Sequence, residues 1–237
     1  AKYRFAKEYV KSLIHEEVKK VDGIERNPEK MQNVLRSLAR NISTQVSNST
    51  IEGDVRNSFD DDISRPTLTD YLNTLEKLFV IEDVNATNLN FRSKYAIRTK
   101  PKKYFVDPSI ATAILDIKPK DLINDLNTFG LMFESLCIRD LKIYTESFGG
   151  DITFYRDEKD FEVDAILRTS SGKWGAIEIK LGAGYIDEAA NNLLKFKDRV
   201  DIKKCGEPSF LMVLTGTDYS YKREDGVYVV SIGTLKN

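Results

Sequence analysis

Between Asp160 and Lys180 the sequence alternates in steps of two. It reads Asp-Phe-Glu-Val-Asp-Ala-Ile-Leu-Arg, then a Thr169–Lys173 turn containing Ser-Ser-Gly, then Trp-Gly-Ala-Ile-Glu-Ile-Lys. Two short apolar-alternating runs around such a turn predict a β-hairpin. Successive side chains on a strand point to opposite faces. Glu162, Asp164 and Ile166 therefore share one face of the first strand, opposite Phe161, Val163, Ala165 and Leu167. On the second strand Trp174, Ala176, Glu178 and Lys180 share a face, opposite Gly175, Ile177 and Ile179. Asp164, Glu178 and Lys180 can thus converge on one side of a sheet. Strands this apolar are buried, and a buried carboxylate is costly unless it is paired or holds a metal.

Two carboxylates and a lysine in this arrangement suit metal-assisted phosphodiester hydrolysis. The carboxylates would hold Mg²⁺, or Mn²⁺ in its place, an ion that prefers oxygen ligands and keeps several waters. Bound metal lowers the pKa of a coordinated water and neutralises phosphate charge, and the lysine would position that water or steady the transition state. A zinc site is a poor fit: Cys137 and Cys205 lie far apart, no Cys-x-x-Cys occurs, and His15 is the sole histidine. His15 reads as a surface or half-buried structural residue on a helical arm. Asp164 followed after 13 residues by Glu178-Ile179-Lys180 resembles the PD-(D/E)xK nuclease signature, with Val163 where that family usually has Pro.

The chain has 237 residues, 41% of them apolar and 31% charged, and a net charge of −1. Such a chain reads as globular, and its near-zero charge gives no overall pull toward nucleic acid, so any such contact must be local. No apolar run reaches membrane-span length and no signal-peptide pattern opens the chain. The expected setting is cytoplasmic, with reduced cysteines and no membrane contact. A first residue of Ala rather than Met suggests a processed or truncated chain.

Helices are predicted over residues 1–20, from Asn27-Pro28 onward with Met31, Val34, Leu35 and Leu38 as the apolar stripe, over Ser47–Asn57, and from Ser64-Arg65-Pro66-Thr67 through Leu78. Phe79-Val80-Ile81 then turns into a strand. A hairpin is expected from Val80 through Asn85–Asn88 to a strand at Lys103–Val106. Three helices and a hairpin resemble a winged helix-turn-helix. The segment from Phe91 to Tyr104 holds Arg92, Lys94, Arg98, Lys100, Lys102 and Lys103 with no acid among them. One reading gives these residues phosphate contacts beside a recognition helix at Thr67–Thr74. The other makes them a solvated hairpin, and Asp60, Asp61 and Asp62 ahead of that helix weigh against close phosphate approach.

Asp107-Pro108-Ser109 opens a short helix, and the charged stretch around Pro119 marks the expected boundary between domains 1–118 and 119–237. A long helix is predicted from Asn127 to Ser147, with Glu134 on the same face as Cys137, Ile138 and Leu141. Strands follow at Ile152–Tyr155, Phe210–Leu214 and Val227–Ile232, with a helix from Ile186 to about Lys197. On that helix Lys195 and Lys197 could reach phosphate, but an exposed lysine is the usual explanation for each.

Taken together, Thr67–Val80, Lys100-Pro-Lys-Lys-Tyr-Phe-Val-Asp107, Phe129-Gly-Leu-Met-Phe-Glu134, Tyr155-Arg156, Glu162-Val-Asp164 and Ile177-Glu-Ile-Lys180 resemble a domain of unknown function found as the C-terminal module of prokaryotic AAA-type ATPases. The resemblance covers nearly the whole chain. It implies an α+β chain: an N-terminal winged helix-turn-helix domain, then an α/β PD-(D/E)xK nuclease-like domain with a mixed central sheet. It implies that Glu134 joins Asp164 and Glu178 as a metal ligand beside Lys180. The missing Gly-x-x-x-x-Gly-Lys-[Ser/Thr] leaves no ATP site in these residues, so the ATPase core upstream in the full-length protein becomes a partner. DNA is the expected substrate of a Mg²⁺-dependent, endonuclease-like module; self-association is left open. Two alternatives remain. In one, an inactive nuclease-like fold binds DNA or protein and regulates the ATPase. In the other, Lys180 simply pairs with Glu178 or Asp164 in a scaffold without metal.

Overall fold

The computed structural model describes residues 2–59, 62–87 and 99–236. The chain is α+β and forms two compact units: Ala1–Asp83 with Lys102–Ser135, and Val84–Pro101 with Leu136–Asn237.

In the first unit α1 (Lys2–Ser12) passes through a π-helical turn, Leu13–Glu17, into α2 (Val18–Lys20). His15 sits exposed in that turn. α3 (Pro28–Arg40) starts where Asn27 accepts hydrogen bonds from the N–H groups of Glu29 and Lys30, at 2.9 and 3.0 Å, with Pro28 in the first turn. α4 spans Asn48–Phe59, and α5 (Arg65–Lys77) is capped by Ser64. The predicted stripe of α3, namely Met31, Val34, Leu35 and Leu38, packs with Ile51 and Val55 of α4 and Leu68 and Leu75 of α5 in one core. Phe79 departs from the expected strand. Its φ of 53° is left-handed, and the Val80 N–H reaches back to the Leu75 carbonyl at 2.9 Å, so Phe79 ends the helix. β1 (Ile81–Val84) and β2 (Lys102–Phe105) make a two-stranded sheet.

α6 (Pro108–Ile114), α7 (Pro119–Asn124) and the start of α8 (Leu126–Glu146) follow. The division between units falls inside α8, not at 118/119 as expected. The reason is apolar: Leu122, Leu131 and Met132 all pack on the first core.

The second unit is built on a mixed six-stranded sheet in the order β3-β4-β5-β6-β8-β7. Its strands are β3 (Asp151–Arg156), β4 (Glu162–Arg168), β5 (Trp174–Lys180), β6 (Phe210–Thr215), β7 (Tyr221–Lys222) and β8 (Tyr228–Ser231). β3, β4 and β5 are antiparallel, while β5–β6 and β6–β8 are parallel. A parallel neighbour requires a crossover, here α9 (Ile186–Arg199) followed by α10 (Ile202–Cys205). α9 lays Ala189, Ala190, Leu193 and Phe196 on a sheet face made of Val163, Ile166, Trp174, Ala176, Val213 and Val229. Of the expected turn at Asn85–Asn88, Asn88 lies outside the described residues, and residues 85–87 run beside β3. Asn85 and Thr87 bond to both backbone groups of Phe154, at 3.1 and 2.6 Å, covering an edge of β3 that would otherwise be open. Cys137 and Cys205 are not joined in a disulfide. Among the described residues no helix is long and apolar enough to cross a membrane.

Candidate functional site

The alternation expected along β4 does not hold throughout. Thr153 and Tyr155 of β3 face Ile166 and Val163 of β4, so two steps on one strand match three on the other. β4 therefore carries an extra residue at Asp164–Ala165, a β-bulge, and this is why Val163 and Ile166 both reach the α9-side core. Bulges re-aim side chains, and here the one re-aimed is Asp164. The regular β4–β5 pairing ends at Ala165–Ile177. Beyond it the N–H of Ile179 donates to Asp164 Oδ2 at 2.7 Å, so a side chain stands in for the next ladder bond. β5 keeps its alternation, and Trp174, Ala176 and Glu178 all look toward α9.

Asp164, Glu178 and Lys180 meet as expected. The Lys180 ammonium lies 2.8 Å from Glu178 Oε2 and 3.3 Å from Asp164 Oδ2. Glu178 is only 3% exposed. Asn192 of α9, which sequence reasoning passed over, donates to Glu178 Oε1 at 2.6 Å and to the Glu162 carbonyl at 2.9 Å. The amide thus ties the crossover helix to both strands of the hairpin. A cleft of ≈ 650 Å³ opens over these groups, lined by Glu162, Asp164, Glu178 and Lys180 from the strands and by Glu188, Asn191, Asn192 and Lys195 from α9.

Burial, followed by the nearby charge of Asp164, pushes the Glu178 carboxyl up to about 8, against the opposing pull of Lys180 and Asn192. Burial works against the Lys180 ammonium, but Asp164 and Glu178 outweigh it and hold its pKa above the usual lysine value. A site where one carboxylate disfavours ionisation of another gains from a cation at that point. Mg²⁺ is bound through one or two carboxylates with waters retained, so the donor set Asp164 plus Glu178 fits it. Among the described residues no three His, Cys, Asp or Glu side chains gather as a metal site.

Glu134 belongs to the first unit. Its Oε1 accepts from Lys102 Nζ at 3.0 Å and from the Tyr104 hydroxyl at 2.8 Å. Lys102 is 4% exposed, which puts its ammonium inside the unit rather than on a surface for phosphate. Lys103 is half-buried and pairs with Asp83 at 2.7 Å. Lys100 is exposed, and Arg92, Lys94 and Arg98 lie outside the described residues. Basic composition alone could not reveal the acids that meet Lys102 and Lys103, because Glu134 and Asp83 come from other stretches of the chain.

Family models match two stretches of the sequence. A domain of unknown function, DUF8612, covers residues 1–121, and a second, DUF4143, covers residues 129–235. The second is a domain often found in AAA-ATPase-associated proteins. No curated protein matches the chain. Among solved structures the chain is similar to the crystal structure of protein VC1899 from Vibrio cholerae, at 11% identity and a TM-score of 0.29, covering 88% of this chain and 54% of that one. The chain thus spans about half the length of that protein, and a likeness of this size transfers neither fold nor function.

Proposed function

The chain belongs to the DUF8612 family by its first 121 residues, and from the site itself we propose that its second unit is a Mg²⁺-dependent, endonuclease-like module that processes DNA. One observation carries this reading: Asp164, Glu178 and Lys180 converge within hydrogen-bond distance at the floor of an open cleft. The run α8-β3-β4-β5-α9-β6 supports a PD-(D/E)xK-like core, and α3 to β2 support a winged helix. The match to DUF4143 supports an AAA-type ATPase as the partner.

Asp164 and Glu178 would hold the ion, which when bound supplies charge neutralisation at the phosphodiester and a more acidic coordinated water. The Ile179 N–H and the Asn192 amide hold one oxygen of each carboxylate in place. Lys180 stays protonated between them and is positioned to orient a water by hydrogen bonding and to offset negative charge on the phosphate. Glu178 must lose its proton for the pair to serve as ligands.

The test is calorimetric titration with Mn²⁺ of the wild type, Asp164→Asn and Glu178→Gln, followed by cleavage assays on several DNA forms. Binding in the wild type and loss in both variants is expected, with Lys180→Met keeping metal and losing cleavage. A wild type that takes up no divalent cation would sink the proposal. A second reading, a non-catalytic regulatory module, is favoured by the internal pairing of Lys102 and Lys103, which removes two of the six basic residues from the phosphate-contact reading.

A further inference from the structure

Lys195 and Lys197 are indistinguishable in sequence, but the fold separates them. Lys197 pairs with Glu207 at 3.0 Å and Arg199 with Asp157 at 2.9 Å. Lys195 lines the cleft and has no carboxylate at ion-pair distance among the described residues. It lies on one stripe of α9 with Glu188, Asn191 and Asn192, at i, i+3, i+4 and i+7. Asn192 is the residue that clamps Glu178, so Lys195 stands one turn beyond the acid pair along the same wall. Apart from Glu188, the other charges of the cleft are paired: Lys180 sits between Asp164 and Glu178, and Glu162 meets Arg156 at 3.2 Å. Glu188 is two turns from Lys195, too far along the helix for an i, i+4 pair.

We propose that Lys195 is the cleft's phosphate contact, holding a backbone phosphodiester of a DNA strand against the α9 wall while an adjacent one lies over Asp164 and Glu178. This rests on the hydrolytic reading of that cleft and adds to it the residue that grips the substrate. Glu188, at the other end of the stripe, then opposes the strand. An acid-rich cleft admits a polyanion only where an unmatched cation or a metal offsets its charge, and Lys195 is the lysine in the lining that has not been matched.

The experiment is fluorescence anisotropy of a fluorescein-labelled DNA oligonucleotide, single-stranded and duplex, with and without Ca²⁺, over a range of salt. The full chain is compared with Lys195→Ala, Lys197→Ala and Glu188→Gln. Lys195→Ala is expected to weaken binding of at least one DNA form about tenfold and to lower the slope of log affinity against log salt by about 1. Lys197→Ala should bind as the wild type does, and Glu188→Gln should bind more tightly, a gain that damage to the fold cannot produce. Equal losses at positions 195 and 197, an unchanged Lys195→Ala, or a wild type that binds neither DNA form would each overturn the proposal. Mn²⁺ calorimetry on Lys195→Ala separates the two ideas. Normal metal uptake with unchanged DNA binding removes Lys195 and keeps the metal site. Lost metal uptake in the wild type removes the metal site, and the DNA contact is then judged by the anisotropy without Ca²⁺.

Discussion

Glu178 sits where a carboxylate would least favour ionisation, at 3% exposure beside Asp164. Its raised pKa has a definite consequence for stability. Between the ordinary glutamate value and about 8 the native state holds a proton that the unfolded chain has released. Stability therefore falls as pH rises through that window, by an amount on the order of a few kcal/mol. Lys180 is charged in both states over this range and adds no slope there. Urea unfolding at pH 5 and pH 8.5 should show the wild type losing stability relative to Glu178→Gln, which keeps the acceptor for Asn192 but cannot ionise. Parallel behaviour of the two proteins would mean that Glu178 ionises normally. At this scale the strand residues of the site were readable, because β5 holds a strict alternation and two acids with a lysine on one face need an explanation. Asn192 was not, since an asparagine on an amphipathic helix gives no periodic signal until its distance to Glu178 is known. Lys102 misled for the converse reason: a run of basic residues looks solvated until the half-buried acid that meets it, Glu134, is found.

The hairpin holds the site through two local departures from regularity, a bulge and a glycine. The bulge at Asp164–Ala165 cannot be read from alternation, because Ala165, Ile166 and Leu167 are apolar in succession and hide the one-residue change of phase that re-aims Asp164. Helix starts were far more legible, since Asn27, Ser64 and Asp107 cap them with their own side chains ahead of a proline. Gly175 has a packing reason. A Cβ built there would lie 2.4–2.7 Å from three atoms of the Phe210 ring, which belongs to the paired residue on β6. Gly175→Ala should therefore destabilise by about 1–3 kcal/mol through overpacking, offset in part by a stiffer unfolded chain. In a Phe210→Ala background the same substitution should cost little, giving a coupling of about 0.5–3 kcal/mol. Urea unfolding followed by fluorescence of the neighbouring Trp174 measures the cycle. Additive losses would mean that the ring does not set the need for glycine.

Two cores account for the division of the chain, and neither tracks the charged stretch around Pro119 that marked the boundary in sequence. Charge and proline locate a loop, whereas a unit is defined by what its apolar residues touch, and Leu122, Leu131 and Met132 touch the first core. Leu35 lies in that core and Leu193 in the second, both at 0% exposure. Truncating either to alanine leaves a cavity and should cost about 2–5 kcal/mol, enough to lower the melting point of its own unit by roughly 10 °C. The chain has one tryptophan, Trp174, and it belongs to the second core. Thermal unfolding followed by Trp174 fluorescence should therefore shift in Leu193→Ala and hold in Leu35→Ala, while calorimetry registers the loss in Leu35→Ala as a separate transition. Added Mn²⁺ should raise the tryptophan transition alone, because a ligand stabilises the unit whose native state binds it. If Leu35→Ala instead lowered the Trp174 midpoint as far as Leu193→Ala does, the two cores would unfold as one cooperative block. Substitutions in the first unit would then have to be separated from effects on the candidate site by measuring binding well below the transition.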